Sequence, residues 1–109
     1  MAFNGTEGRM IPRSEAQVLI NNYKNSPAFP ANNDTEGIFY GKDHIAQLLA
    51  QPGCVGIRVY YGKEGIASHD PAQMVLVGVT ADENDMSTGL ILDGGFPCPS
   101  FCSSASTKI

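Results

Sequence analysis

The sequence has no tryptophan, few basic residues and no long run of apolar side chains. Its seven lysines and arginines stand singly along the chain against eleven acidic residues, which gives a net charge of -4. Because nucleic acids and anionic membranes are both bound by clustered cations, this distribution argues against either partner. The longest apolar stretches, such as residues 74–77, are far too short to cross a bilayer.

The first ten residues also lack the charged start and the apolar core of a secretory signal peptide. We therefore expect a cytoplasmic protein. In that compartment the three cysteines, Cys54, Cys98 and Cys102, do not predict a disulfide framework, and their odd number leaves at least one free thiol in a monomer.

What the sequence does contain is the composition of one small globular domain. Its 109 residues fit one domain, and 42% hydrophobic with 17% charged residues is a folded composition. Twelve glycines and seven prolines indicate many turns, which favours sheet over a helical bundle. We expect a flexible arm over residues 1–10, a single domain over 11–102 and a loose tail over 103–109.

Two segments have the periodicity of amphipathic helices. Residues 14–24 place apolar side chains at helical spacing, and Ser14 begins a capping-box pattern. Residues 42–51 form the second predicted helix, which Pro52 and the following glycine end.

The clearest pattern is the period-two alternation of two valine-rich segments, 55–61 and 74–80, which predicts a pair of antiparallel strands. Residues 90–92 form a further short strand, and 37–40 are either a strand or an extended lead into the second helix. The predicted fold is α+β, with two N-terminal helices packed on one face of a small, mainly antiparallel sheet of three to four strands.

The alternation also assigns the residues of this sheet to two faces. The face beneath the helices is expected to form the core from the odd-numbered positions, Val55, Ile57, Val59, Tyr61, Val75, Val77 and Val79. The opposite face carries Arg58, Tyr60, Met74 and Leu76, although such a face is commonly polar. Exposed apolar patches mark contact sites, so these four residues are the candidate binding surface for a second copy of the chain, another protein or a small ligand. Alternatively, the N-terminal arm or the C-terminal tail covers Met74 and Leu76.

The cysteines are the second candidate site. Cys54, Cys98 and Cys102 with His44 or His69 could supply four ligands to zinc, although the C-x3-C spacing differs from the commoner C-x2-C turn. A reversible Cys98–Cys102 disulfide is another interpretation, but no lysine or arginine lies near these cysteines in sequence to activate a thiolate. The remaining alternative is that all three cysteines pack as small apolar side chains.

Five short segments run in order along the chain, at residues 39–43 (FYGKD), 51–61 (QPGCVGIRVYY), 76–81 (LVGVTA), 84–86 (NDM) and 97–99 (PCP) followed by Cys102. Taken together, these segments resemble a family of small bacterial proteins with no established activity, cofactor or partner. The resemblance implies that Cys54, Arg58, Cys98 and Cys102 belong to the family pattern. The sequence departs from that pattern in the connection between the two long strands and in the tail, where Ser103 replaces an expected glycine.

These observations favour a non-catalytic binding or interaction module that self-associates through the second sheet face. The alternative is a zinc or thiol redox site at the cysteines. No cofactor is predicted beyond that zinc alternative, and the sequence does not decide whether the protein is an enzyme.

Overall fold

The computed structural model describes residues 2–27, 35–67 and 72–109. The elements in chain order are α1 (Arg13–Lys24), β1 (Gly37–Phe39), α2 (Lys42–Ala50), β2 (Cys54–Lys63), β3 (Ala72–Thr80), β4 (Ile91–Leu92) and β5 (Phe96–Cys98). All strand pairs are antiparallel; β2, β3 and β4 form one sheet in that order, and β1 pairs with β5 in a second. The α+β class with antiparallel sheets is confirmed. His69 lies outside the described residues.

The helix ends differ slightly from the predicted ones. α1 begins at Arg13 after an extended Pro12, whose carbonyl accepts the N–H groups of Glu15 and Ala16 at 3.1 Å, and no side chain caps the helix. The predicted Ser14 cap is therefore wrong. α2 ends at Ala50, and Gly53 takes a positive φ of 85° in the turn into β2, a conformation that favours glycine.

The predicted packing of two N-terminal helices on one sheet face is not confirmed, because β1 separates α1 from α2 in the chain. α2 contributes Leu48, which is only 1% exposed, to the core. α1 has no buried residue, and its Val18 and Leu19 are exposed. Of the two helices in the described ranges, only α2 thus supplies a buried core side chain.

The register of β2 and β3 corrects the predicted faces. Arg58 lies opposite Val77, and Val59 lies opposite Leu76. Directly opposed residues of an antiparallel pair share a face, so Arg58 and Leu76 point to opposite sides. The prediction that Arg58, Tyr60, Met74 and Leu76 form one surface is therefore wrong, and so is the all-odd core face. A shift of one residue in pairing exchanges the faces of a whole strand.

We call the first surface of the β2–β3–β4 sheet the helix face, because α2 approaches it. Its members are Ile57, Val59, Tyr61, Met74, Leu76, Gly78 and Leu92. The Gln51 side chain, just after α2, lies so close that a β-carbon at Gly78 would be 2.8 Å from its Nε2. A bulge between Cys54 and Gly56 brings the Cys54 sulfur to this face as well. Leu76 is buried here.

We call the other surface the arm face, because the N-terminal arm runs beside it. Its members include Arg58, Tyr60, Val75, Val77 and Val79. The Phe3 N–H donates to the Ala81 carbonyl at 2.9 Å, and the Phe3 ring lies 5.9 Å from the Arg58 guanidinium carbon. Val77 and Val79 are buried on this side, so β3 is covered on both faces. Within the described ranges, neither helix has the length and apolar character needed to cross a bilayer.

Candidate functional site

A disulfide joins Cys98, at the end of β5, to Cys102, with Cα atoms 4.7 Å apart. The chain reverses between them, and the Phe101 N–H donates to the Pro97 carbonyl at 2.8 Å. Cys102 is exposed and Cys98 is half-buried. The structure thus brings together two of the three predicted cysteines, in the pairing that one of the sequence interpretations named.

The pairing of β1 with β5 places an acidic side chain beside this bond. Gly37 lies opposite Cys98, and the preceding residue, Glu36, donates its N–H to the Cys98 carbonyl at 2.7 Å. A carboxylate oxygen of Glu36 and the sulfur atoms of Cys98 and Cys102 all lie within 4.8 Å of one another. The site therefore contains three potential metal-ligand atoms.

Two lysines from opposite parts of the chain complete what we call the cysteine cluster: Lys24, Glu36, Cys98, Cys102 and Lys108. The Nζ atoms of Lys108 and Lys24 lie 2.9 Å and 3.1 Å from Oε1 of Glu36. Hydrogen bonds from Lys108 and then Lys24 lower the pKa of Glu36, which keeps this half-buried carboxylate ionised. The anion beside the cysteine pair is thus itself paired with two cations.

This charge arrangement bears on thiol chemistry. A thiolate is stabilised by nearby ammonium groups, whereas an adjacent carboxylate opposes it. Because two lysines pair with one carboxylate, the cluster has a formal charge of +1, and the carboxylate is the charged group that lies within 4.8 Å of both sulfur atoms. The sequence showed no lysine or arginine close to these cysteines, and the fold brings Lys24 and Lys108 to the Glu36 carboxylate beside them.

Cys54 occupies a different place. It is half-buried at the start of β2, and its Sγ donates to the Gly56 carbonyl at 3.2 Å. In the part of the chain that the structure describes, no compact group of metal-ligating atoms includes Cys54 or His44. The side chain of His44 instead lies 3.1 Å from Oε1 of Gln47.

Exposed aromatic rings border the cysteine cluster. Phe39 of β1 lies opposite Phe96 of β5, and the rings of Phe96 and Phe101 are 4.9 Å apart between centroids. Each of the three is more than half exposed. One of these rings, that of Phe101, lies in the disulfide loop between Cys98 and Cys102.

The predicted binding residues are divided between the two sheet faces. On the arm face, Arg58 forms an ion pair of 2.5 Å with Asp85, whose second oxygen accepts the Tyr60 hydroxyl at 2.5 Å. The hydrogen bonds of Tyr60 and Arg58 lower the pKa of Asp85. On the helix face Leu76 is buried, and the Met74 carbonyl accepts the Tyr40 hydroxyl. The four residues do not form one surface.

A groove lies between the N-terminal arm and β2. It has a volume of about 460 Å³, and it is lined by Phe3, Gly5, Glu7, residues 55–59 and Val79. Hydrogen bonds from the Asn4 and Gly5 N–H groups to Glu7 hold the arm in a turn here and lower the pKa of Glu7. Of the predicted binding residues, only Arg58 lines this groove.

Sequence reasoning missed Lys24, Glu36 and Lys108 as members of the site. They stand on the end of α1, the residue before β1 and the tail, and no motif spacing connects them. The only local signal is that Glu36 directly precedes a segment that could be read as a strand.

Comparison with protein-family models, curated proteins and solved structures yields no match to this chain. The resemblance to the small bacterial family stays a prediction that rests on its quoted residues alone.

Proposed function

We propose that the protein is a thiol–disulfide redox module in which Cys98 and Cys102 cycle between a disulfide and a dithiol. The observation that carries this proposal is the bonded cysteine pair, of which Cys102 is exposed, beside a Glu36 carboxylate that pairs with Lys24 and Lys108. Buried structural cysteines are inert, whereas reactive ones are accessible and lie in electropositive surroundings.

The exchange requires a dithiol as the electron donor. Its thiolate attacks the exposed Sγ of Cys102, the Cys98–Cys102 bond breaks, and Cys98 leaves as a thiolate. The second thiol of the donor then attacks the mixed disulfide and releases Cys102. Overall the donor loses two electrons and two protons to the protein. Lys24 and Lys108, which pair with Glu36 beside the sulfur atoms, favour the leaving thiolate by their positive charge, and a leaving thiol of lower pKa leaves faster.

Thiol counting in a Cys54→Ser variant tests the proposal, because that variant removes the one free cysteine. We expect no titratable thiol before reduction and two afterwards. In glutathione buffers of stepped composition, the pair should be reduced and reoxidised reversibly. A pair that stays oxidised even when reduced glutathione is in large excess behaves as a structural disulfide and contradicts the proposal.

The charge of the cluster gives a second readout. Replacement of Lys108 by Gln removes one cation beside Glu36 and should slow reduction of the disulfide by a small dithiol. Replacement of the exposed Lys42 on α2 by Gln is the matched control and should leave the rate unchanged. Reduction of the Lys108→Gln variant at the rate of the parent protein and of the Lys42→Gln control would remove Lys108 from the mechanism.

A second candidate function is self-association, which we now assign to the outer edge of β2 rather than to a sheet face. β2 has ten residues and forms one edge of its sheet, and an edge strand offers backbone groups to another strand. Val59 is 47% exposed and Tyr61 is 89% exposed. Antiparallel pairing with a second copy about Val59 would place Ile57 opposite Tyr61 of that copy and cover the tyrosine.

Light scattering after size exclusion tests this assignment. We expect a dimer that Val59→Glu converts to a monomer, because the substitution places a charge at the centre of the interface. Val18→Glu on α1 changes a residue of similar exposure elsewhere and should leave the dimer intact. A monomeric parent protein would rule out this second function.

A further inference from the structure

We propose that reduction of the disulfide creates a zinc site whose ligands are Cys98, Cys102 and Glu36. The inference rests on the proposed function, since it needs the disulfide to be reducible. In the disulfide the two sulfur atoms are bonded to each other, whereas zinc is bound by thiolates. Metal binding would therefore follow the redox state of the protein.

The geometry supports this ligand set. The three ligand atoms lie within 4.8 Å of one another without any rearrangement of the backbone. Zinc binds thiolate at about 2.3 Å and carboxylate at about 2.0–2.2 Å, so tetrahedral ligand atoms are separated by about 3.5–3.8 Å. Cleavage of the S–S bond lets the sulfur atoms move apart to that separation, and the Glu36 carboxylate needs to approach them by no more than roughly 1.3 Å.

The charges also support it. Two thiolates and one carboxylate carry three negative charges, of which a divalent cation neutralises two. Lys24 and Lys108 both approach Oε1 of Glu36 and are therefore placed to balance the remaining charge. Ordering of a metal-bound carboxylate by such neighbours raises the affinity of a site.

The ligand types select the ion. Two thiolates favour zinc over magnesium and calcium, which prefer a shell of oxygen ligands. Three protein ligands leave the fourth tetrahedral position open for water or for a ligand atom of another molecule.

Cobalt(II) serves as the spectroscopic probe, because it occupies tetrahedral zinc sites and shows thiolate charge-transfer absorption. The Cys54→Ser variant of the 109-residue chain is reduced with a phosphine, which becomes a phosphine oxide with oxygen from water while the disulfide gains two electrons and two protons. Excess phosphine is removed, and cobalt is added without oxygen. We expect the reduced protein to bind one equivalent of cobalt with a thiolate charge-transfer band, and we expect zinc to displace that cobalt. The oxidised protein should bind no cobalt.

Two further variants identify the third ligand. Glu36→Gln should weaken cobalt binding by at least about tenfold, as loss of a metal-site partner typically does. Glu64→Gln, on the exposed connection after β2, is the matched control and should bind like the parent. Circular dichroism checks that both variants are folded, and Cys98→Ser provides a second way to remove a ligand.

The outcomes separate the two proposals. A pair that phosphine does not reduce overturns both the redox function and the metal site. Two titratable thiols without cobalt binding overturn the metal site alone. Unchanged affinity in the Glu36→Gln variant removes Glu36 from the ligand set, and binding to the oxidised protein contradicts the link to redox state.

Discussion

Gly95 lets the connection between β4 and β5 pass close to β1. A β-carbon at this position would lie 2.3 Å from Cγ2 of Ile38 and 2.8 Å from the Phe39 carbonyl oxygen. Because a backbone oxygen cannot move aside as a flexible side chain can, Gly95→Ala should lower the free energy of unfolding by about 1–3 kcal/mol. Gly56→Ala is the control, since a β-carbon there meets no atom within 4 Å. Equal urea midpoints for the two variants would contradict this packing.

Asp85 allows a prediction of how the stability of the protein depends on pH. The Tyr60 hydroxyl, and then Arg58, lower its pKa below the ordinary value of 3.8. A group with a depressed folded-state pKa contributes stability above its unfolded pKa and loses it as the pH falls through the folded one. Asp85→Asn should therefore lower the thermal midpoint at pH 7.

The difference between Asp85→Asn and the parent protein should shrink as the pH falls below about 4 and vanish once Asp85 is protonated. Asp82→Asn, at an exposed position in the same loop, should leave the thermal midpoint unchanged both at pH 7 and below about pH 4. A constant difference down to the lowest pH would show that Asn disturbs packing rather than charge.

At the scale of the elements, α2 shows how one helix divides neighbouring leucines between core and solvent. Leu48 is 1% exposed and Leu49 is 47% exposed. Leu48→Ala should cost about 2–5 kcal/mol of unfolding free energy, because it leaves a cavity in the core. Leu49→Ala makes the same chemical change on the same helix and should cost well under half as much. Similar losses in urea unfolding would mean that α2 does not pack through Leu48.

Sequence pattern predicted the helices and the long strands of this protein, but not the pairing of the strands. β3 is apolar at consecutive positions from Met74 to Val77, because the middle strand of the sheet is covered on both faces. Alternation within such a strand does not show which set of residues shares a face with β2. The bulge after Cys54 adds a further shift in the pairing register, and no residue type in the sequence predicts it. The predicted binding surface failed for this reason.

At the scale of the whole molecule, one part of the candidate site could be predicted from the sequence and the other part could not. A disulfide between Cys98 and Cys102 was one of the interpretations of the sequence. Glu36 reaches this pair only because β1 and β5, which are far apart in the chain, lie side by side. The lysines come from α1 and the tail, so their place at the site depends on the complete fold.

Glu36 also joins three parts of the molecule, because its carboxylate binds α1 through Lys24 and the tail through Lys108. Arg13 of α1 adds a hydrogen bond of 2.8 Å to the Lys108 carbonyl. Partly exposed ion pairs contribute roughly 1 kcal/mol or less to global stability, so a local measurement is needed. In Glu36→Gln, amide hydrogens of residues 104–108 should exchange faster, whereas those of β3 should not change.

Acid should reproduce the effect of Glu36→Gln in the parent protein, because Lys108 and Lys24 lower the pKa of Glu36 below its ordinary value of 4.5. The ion pairs of Glu36 with the two lysines are therefore complete above the pKa that Glu36 has in the unfolded chain. They are lost as the pH falls through the lowered pKa of Glu36 in the folded protein. Glu15→Gln, which removes the partner of Arg9 from the first turn of α1, should leave exchange in the tail unchanged. If exchange at 104–108, corrected for its intrinsic rate, showed no acid transition in the parent, the tail would be held by its own Ser and Thr hydrogen bonds rather than by Glu36.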